Sequence, residues 1–480
     1  MNKQTSRQNS NSRRHAVVIG GSMAGVLAAR ILADHFERVT VVERDRYPQG
    51  PAARKGAPQA RHVHVLLTRG QRILEQLFPG LADDLTAAGA PVVDAAQDVA
   101  WLTPAGWAIR FPSDLTLWSA SRELLEWAVR RRVMGLPNVQ FLEECDVAGL
   151  LPDAAGQGVA GVALRRRRPA AGEKMEGEFT ADLVVDASGR GSHAPQWLGA
   201  LGYSAPEETV VNSCLGYASR VYQVPDCPPE GWKALYLQSK APSGTRSGLL
   251  LEVEGKRWMV TLSGRGGDYP PTDDAGFVEF TRSLPSPMLY EAIRDAKPLT
   301  PISGYRATEN RLRHYERLAR WPEGFVVLGD AACAFNPVYG QGMSTAAAGA
   351  MTLDQCLRRP EKKGLAKRFQ RELAAVNAIP WLLATGEDYR YPTTTGGRAG
   401  WLARLQQKYV DWVVQLSTED SAVRLQFLKV LHLIETPQTL FRPSIVLKLL
   451  RRAFSWGASQ PTHWPRAQRT PSAATPTSGC

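Results

Sequence analysis

The chain has 480 residues, a net charge of +12, 44% apolar and 22% charged residues, and six scattered cysteines. This composition builds a large core and excludes a disordered or membrane-spanning chain, since no apolar run reaches about 18 residues. The cysteines form no CxxC pair and no metal-ligand spacing with histidine, which predicts reduced thiols in a cytoplasmic protein without a metal centre. The positive charge favours an anionic cofactor, an acidic carrier or a membrane surface, or it is simply a solvated surface; we expect no nucleic-acid partner.

The predicted elements begin with a βαβ unit behind a polar tail. Residues 1–14 are polar and predicted to be disordered. A short strand follows over 15–20 (HAVVIG), then a helix over 22–36 and a second strand over 38–43 (RVTVVE). A unit of about 30 residues with this order is typical of dinucleotide-binding folds.

The turn between this first strand and helix carries a G-x-G-x-x-G pattern with serine in place of the second glycine. Such a turn lets backbone N–H groups at the helix start approach a pyrophosphate. Glu43 ends the second strand, where an acidic side chain accepts hydrogen bonds from a ribose diol. The predicted cofactor-binding residues of the turn are Gly20, Ser22, Met23, Ala24 and Gly25.

The middle of the chain changes from helical to alternating patterns. A run of four arginines at 165–168 is either a solvated turn or a binding patch. The segment 249–264 reads as a hairpin that turns at 254–256 and belongs to an antiparallel sheet. The other predicted elements are helices over 69–88 and 121–134, strands over 139–151, 159–167 and 183–187, and alternating strands from about 210 to 270.

Two further motifs follow strand ends. Gly329-Asp330 ends the strand 325–329, and Gly340 and Gly342 lie at the start of a long small-residue helix. Asp330 can accept a hydrogen bond from a ribose-like group, and the glycines let the backbone approach a flat ring. The helix dipole would there stabilise a reduced flavin. The other reading of the loop is an unrelated glycine-rich turn. The second motif is 186–192 (DASGRGS).

The three motifs together resemble the flavoprotein monooxygenases of the p-hydroxybenzoate hydroxylase fold, which carry them in this order. The resemblance covers residues 15–390 and implies FAD. It implies an α/β fold, in which a Rossmann-like FAD-binding domain is interleaved with an antiparallel-sheet substrate domain and followed by a helical C-terminal extension. The expected bounds are 15–205 and 300–395 for the FAD-binding domain, 206–299 for the substrate domain, 396–456 for the extension and 457–480 for a disordered tail.

The resemblance also assigns residues to the cofactor. It places Glu43 at the adenosine ribose, Asp330 at the ribityl or pyrophosphate region, and the Gly342 and Met343 backbone at the flavin. Arg122 is implied at the pyrophosphate, or is a cation on a helix surface. The remaining predicted cofactor residues are Arg44, Arg54, Lys55, Val147, Asp186, Gly189 and Gly340.

One position departs from the family pattern. The family has aspartate directly before the glycine of the middle motif, whereas this chain has Ser188 before Gly189. That motif is associated with nicotinamide as well as FAD binding. The electron donor is therefore left open: either NAD(P)H docks directly or a flavin reductase partner reduces the flavin.

Longer segments (RKGAPQARHVHVL, WSASRELLEW, WPEGFVVLGDAACAFNPVYGQGMS and ATGEDYRYP) are similar to the polyene epoxidases of polyether antibiotic pathways. This implies transfer of one oxygen of O2 from a flavin C4a-hydroperoxide to an alkene of a lipophilic polyketide, in a dry cavity. His64, Pro337 and Gly340 are the predicted catalytic positions, with a purely structural role as the alternative for the histidine. An aromatic hydroxylase and a prenyl reductase remain alternatives, and a halogenase would carry WxWxIP, which is absent.

The C-terminal extension is predicted to be helical from 400 to 455 and basic at its end. Lys448, Arg451 and Arg452 share one face of an otherwise apolar helix. This helix could rest on a membrane as a peripheral contact, cap the substrate cavity, or pack on the domain. An acyl carrier protein is a further candidate partner.

Overall fold

The computed structural model describes residues 13–168, 175–361 and 363–454. The predicted disordered tails 1–14 and 457–480 lie outside the described residues, apart from Arg13 and Arg14. Twelve α-helices lie in the described residues: α1 (Met23–Ala33), α2 (Thr68–Leu77), α3 (Leu81–Ala87), α4 (Arg122–Met134), α5 (Ala194–Ala200), α6 (Asp274–Arg282), α7 (Met288–Ile293), α8 (Gly342–Arg358), α9 (Leu365–Asp388), α10 (Trp401–Leu416), α11 (Ser421–Leu431) and α12 (Pro443–Phe454).

Twenty strands accompany these helices in the same described part of the chain. They are β1 (His15–Ile19), β2 (Arg38–Val42), β3 (Val92–Asp94), β4 (Val99–Thr103), β5 (Gly106–Trp107), β6 (Thr116–Trp118), β7 (Val139–Leu142), β8 (Cys145–Pro152), β9 (Val159–Arg166), β10 (Glu176–Thr180), β11 (Leu183–Asp186), β12 (Glu208–Val211), β13 (Gly216–Gln223), β14 (Ala234–Leu237), β15 (Arg246–Val253), β16 (Arg257–Gly264), β17 (Ser303–Tyr305), β18 (Asn310–Arg313), β19 (Phe325–Val327) and β20 (Cys333–Ala334).

A five-stranded parallel sheet forms the centre of the first domain, in the order β19-β11-β1-β2-β7. Its strands are continuous apolar runs because helices cover the sheet, with α1 and α8 packed into the same core. Parallel strands point the same way, so the residues after β1, β11 and β19 meet at one edge. The three sequence motifs are those residues.

The single strand predicted over 139–151 is wrong, because the chain bends between β7 and β8. Glu144 has a left-handed backbone with φ of 53°, which interrupts the extended run. β7 ends the parallel sheet beside β2, whereas β8 leaves it and pairs with β9 in a separate antiparallel sheet.

A seven-stranded sheet forms the second layer, in the order β17-β13-β16-β15-β14-β4-β5. The predicted hairpin over 249–264 is confirmed as β15 and β16, with Val253 opposite Arg257. The sheet takes β4, β5 and β17 from outside the expected range 206–299, and β4 joins β14 in parallel. Helices α6 and α7 cover one face with Phe277 and Leu289.

The C-terminal helices α10, α11 and α12 pack around a small apolar core of their own. In α12, Ile445 is buried in that core and Lys448 pairs with Asp420 at 2.5 Å, so the helix packs against the other C-terminal helices. Trp401 on α10 is 74% exposed. No helix of the described ranges is both long and apolar enough to cross a bilayer. Contact with a membrane surface or an acyl carrier protein stays a prediction. The α/β class with a helical C-terminal region is confirmed.

Candidate active site

The three motifs converge at the carboxyl edge of the parallel sheet. The Ala187 N–H donates to the Ile19 carbonyl at 2.9 Å, and the Leu328 N–H donates to the Asp186 carbonyl at 2.8 Å. A Cβ built on Gly329 would lie 2.7 Å from the Cβ of Ala24. The glycine pattern, the DASGRGS loop and the Gly-Asp motif are therefore in direct contact, at the edge where open α/β sheets bind nucleotides.

The glycines of the first motif are required by their surroundings. Gly20 has φ of 91°, and a Cβ there would lie 2.7 Å from the Ala187 carbonyl oxygen. A Cβ on Gly25 would overlap the Gly20 carbonyl oxygen, because α1 and the end of β1 cross at this point. These close approaches hold the turn between β1 and α1 in one shape. This turn is the cradle in which backbone N–H groups at the N-terminus of α1 would bind the pyrophosphate of FAD.

Glu43 is buried at the end of β2 and its carboxylate already organises the turn. Its Oε2 accepts a hydrogen bond from the Gly21 N–H at 2.9 Å, and its Oε1 accepts one from the Asp45 N–H at 3.0 Å. Arg54 lies 3.3 Å from this carboxylate. The position matches the acid that binds the adenosine ribose in the predicted scheme.

A buried group of charges surrounds the start of α1. Glu126 accepts hydrogen bonds from the Arg54 guanidinium at 2.9 and 3.1 Å and pairs with Arg122 at 3.0 Å. The Ser22 hydroxyl donates to Glu126 at 3.1 Å. Burial alone would raise the pKa of Glu126, but Arg122 and Arg54 outweigh it and lower that pKa. Arg122 is thus part of a buried cluster beside the cradle, and the surface-cation alternative is wrong.

The DASGRGS loop is folded by its own aspartate. Asp186 is fully buried and its Oδ1 accepts from the Ser188 hydroxyl at 2.6 Å and backbone N–H at 2.9 Å. Its Oδ2 accepts from the Ser192 hydroxyl at 2.5 Å. Gly189 then turns with φ of 83°. Serine at position 188 therefore keeps the loop folded, and the predicted cofactor contact of Asp186 stays a prediction.

Asp330 and the start of α8 form the other wall of the cradle. A Cβ on Gly342 would lie 3.9 Å from Asp330 Oδ1, so the carboxylate stands beside the helix N-terminus. Burial raises the pKa of Asp330. Gly340 turns with φ of 64°, and the Met343 side chain is buried in the core. The side chain of Met343 is thus taken up by the core, and the contact of its N–H group with a flavin stays a prediction.

His62 and His64 lie on the loop that packs against the Gly340 turn, where Val65 approaches Gly340. His62 Nδ1 is hydrogen-bonded to Ser219 Oγ at 2.7 Å, and His64 Nδ1 to the His62 carbonyl at 2.9 Å. Burial lowers the pKa of His62 to about 4 and that of His64 to about 3. Both rings are therefore neutral at pH 7.

These buried histidines make stability depend on pH. His62 and His432, whose pKa burial also lowers to about 4, stay neutral in the native state while the unfolded chain takes up protons below about pH 6.5. Between pH 6.5 and 4, each should cost about 1.4 kcal/mol of unfolding free energy per pH unit. Urea unfolding of His62→Gln at several pH values should show a weaker fall of the unfolding free energy with pH. The difference from the native protein should be about 1.4 kcal/mol per pH unit between pH 6.5 and 4. His193→Gln is the control, because His193 is exposed. If the unfolding free energy of His62→Gln fell with pH as steeply as that of the native protein, the lowered pKa of His62 would be contradicted.

A cavity of about 1530 Å³ begins at this loop and runs between the seven-stranded sheet and the C-terminal helices. It brings the three predicted catalytic positions together, since His64, Pro337 and Gly340 all line one end. Trp101, Leu431 and Phe441 line the same cavity. The volume exceeds the roughly 300–1,000 Å³ of ordinary ligand pockets. The walls therefore suit a large and mainly apolar molecule.

Four further predicted cofactor residues differ in their surroundings. Arg44 and Lys55 are exposed, and Val147 lies half-buried in β8 against the core. Arg54 is paired with carboxylates. The cofactor contacts of these residues stay predictions.

Sequence reasoning missed two acidic residues of the site. The ion pair of Glu126 could have been predicted, because Glu126 follows Arg122 by four residues on one helix face. Asp388 is fully buried at the end of α9 and accepts hydrogen bonds from Tyr339 and Asn310, both at 2.7 Å. Asp388 had no local signal, because its partners come from distant strands and loops.

Known proteins are similar to this chain in sequence. Residues 13–369 match the family described as FAD binding domain. Protein Rv3254 of Mycobacterium tuberculosis is 36% identical over 385 residues, which cover 78% of this chain and 80% of the relative. Kynurenine 3-monooxygenase of Salinispora tropica is 27% identical over 369 residues, which cover 72% of this chain and 73% of the relative.

Solved structures share the fold at low identity. The flavin-dependent brominase Bmp2 superposes with a TM-score of 0.63 at 16% identity, covering 92% of this chain and 99% of that chain. PqsL of Pseudomonas aeruginosa, solved in complex with 2-aminobenzoylacetate, gives a TM-score of 0.58 at 19% identity over 79% of this chain and 98% of its own. These likenesses concern the fold alone.

Proposed function

Because the chain belongs to the FAD binding domain family, matching it over residues 13–369, we propose that it is an FAD-dependent monooxygenase acting on a lipophilic substrate. The reaction proposed is epoxidation of an alkene in a natural product. Alkene, O2, two electrons and two protons give epoxide and water, with the electrons supplied by NAD(P)H directly or through a reductase. Bound and reduced FAD supplies the activation of O2.

The observation that carries this proposal is the joining of the cradle to a large apolar cavity. The Pro337–Gly340 turn belongs to both, since it leads into α8 and lines the cavity. A substrate in the cavity would therefore lie against the flavin. A cavity of about 1530 Å³ suits a polyene better than a single ring.

The titratable groups next to the Gly340 turn supply no strong base. His62 and His64 are neutral with lowered pKa values, and burial raises the pKa of Tyr217 well above its ordinary value. Oxygen transfer to an alkene requires no proton abstraction from the substrate. These three groups are therefore consistent with this reaction.

The test is a single-enzyme assay with isotopically labelled O2. The purified FAD-loaded protein is supplied with NADPH or NADH, or with a flavin reductase, and with long-chain polyene acids and their alcohols. We expect O2 uptake that depends on the substrate and a product bearing one labelled oxygen as an epoxide. Absence of label from every product under all three reductants would overturn the proposal.

A second candidate is hydroxylation of an aromatic ring. The relatives named kynurenine 3-monooxygenase favour it, at 27 and 28% identity. Adding phenols of two and three fused rings to the same assay separates the two, because a phenol product carries label on the ring and no epoxide forms. A prenyl reductase would consume reductant without substrate-dependent O2 uptake.

A further inference from the structure

Arg265 is a buried cation in the wall of the cavity. It follows β16 directly, its side chain is only 7% exposed, and it lines the cavity. Within the described ranges, its guanidinium donates no hydrogen bond to a protein acceptor, and its Nε is buried without a partner. An arginine in such a place loses its hydration and carries five N–H donors that need acceptors.

Asp388 balances the charge of Arg265 but does not satisfy its donors. The nearest approach is 4.0 Å, between Asp388 Oδ1 and Arg265 Nε. The Asp388 oxygens already accept from Tyr339, Asn310 and Asn336, at distances of 2.7 to 3.3 Å. The Nε edge of Arg265 thus faces Asp388, and the two terminal nitrogens remain for a ligand.

Among the described residues that line the cavity, no free carboxylate competes with a ligand for the terminal nitrogens of Arg265. The other carboxylates that line this described cavity, Glu387 and Asp411, both pair with Arg390 at 2.9 Å. Tyr391 lies under the Arg265 guanidinium at 5.1 Å, and Tyr236 adds a phenol to the same wall. Burial raises the pKa of Tyr236 to about 12, so the phenol stays neutral beside an anion.

We propose that Arg265 binds an anionic head group of the substrate, and that the substrate is an amphiphilic acid with a long apolar body. The two terminal nitrogens form parallel hydrogen bonds with a carboxylate, the geometry for which the guanidinium fork is best suited. This inference rests on the proposed function and names the substrate class of the same cavity.

The test measures binding rather than turnover. Isothermal titration of the FAD-loaded protein compares decanoate with decanol, which has the same chain without the charge. We expect decanoate to bind about 10- to 100-fold more tightly than decanol, the range for hydrogen bonds to a charged partner. Arg265→Met should remove this preference and leave decanol binding within about twofold, whereas Arg265→Lys should keep part of it.

Lys240→Met is the matched control, because Lys240 is a second cation lining the same cavity but is exposed. It should retain the preference for decanoate. Should Arg265→Met fail to fold, Arg265→Met/Asp388→Asn removes both charges and must show the same loss. Equal affinity of the native protein for the two probes, or a preference retained without Arg265, would overturn the inference. Either result leaves the oxygen-insertion assay unaffected.

Discussion

Gly25→Val is expected to purify without FAD and with a free energy of unfolding lower by about 3 kcal/mol or more. Gly25 lies in the first turn of α1, where a Cβ would overlap the Gly20 carbonyl oxygen. The valine must push α1 away from the end of β1, which displaces the N–H groups that face the pyrophosphate. The measurements are the ratio of flavin to protein after purification and the melting temperature.

Gly199→Ala is the control for this substitution. Gly199 also lies in a helix, α5, but no atom lies within 4 Å of a Cβ built there. The alanine should leave flavin content unchanged and alter stability by at most about 1 kcal/mol, in the favourable direction. A Gly25→Val protein with the full flavin content would show that the turn does not depend on this close approach.

Glu126→Ala is expected to lower the free energy of unfolding by about 3–5 kcal/mol. The substitution leaves Arg122 without its carboxylate and removes the closest partner of Arg54, and both cations are buried. Removing one member of a buried ion pair costs this much because the remaining charge keeps its desolvation penalty. Urea unfolding at constant FAD concentration measures the loss.

Two controls separate this cause from a general effect of losing a glutamate. Glu279→Ala removes a carboxylate that is 74% exposed and pairs with Arg282 at 3.3 Å, and should change stability by at most about 0.5 kcal/mol. Adding Arg122→Met to Glu126→Ala should recover part of the loss. No recovery would show that Arg122 does not carry the penalty.

The pH dependence of the Glu126 contribution has a defined sign. Its pKa is lowered in the folded protein, so its contribution is complete above the ordinary value of 4.5. It is lost as pH falls further through the folded pKa, because the unfolded chain protonates first. The stability difference between the native protein and Glu126→Gln should therefore shrink below pH 4.5.

Short sequence motifs predicted the flavin cradle, but they did not predict strands that pair with distant parts of the chain. The βαβ unit, the Gly20–Gly25 turn and Asp330 could be read because each motif lies within a few residues of a strand end. The pairing of β4 with β14 joins residues 99–102 to 234–237, and no local pattern specifies it. The kink at Glu144 was missed because its flanking strands are both apolar.

The buried charges Arg265 and Asp388 likewise could not be predicted from local sequence. Arg265 and Asp388 lie 123 positions apart in sequence and meet only through the fold. Read singly, Arg265 in a glycine-rich turn and Asp388 at a helix end carry no sign of burial. Their proximity depends on where the C-terminal end of α9 meets the turn after β16, which composition and periodicity do not determine.

The cavity wall draws on several stretches of sequence. Residues 62–65 and 337–341 line it next to the flavin cradle, and residues from 401–441 supply another part of it. The latter is one continuous segment with its own apolar core, and it contributes no strand to the parallel sheet. Substrate preference can therefore evolve by substitutions in 401–441 while the residues of the flavin cradle are retained.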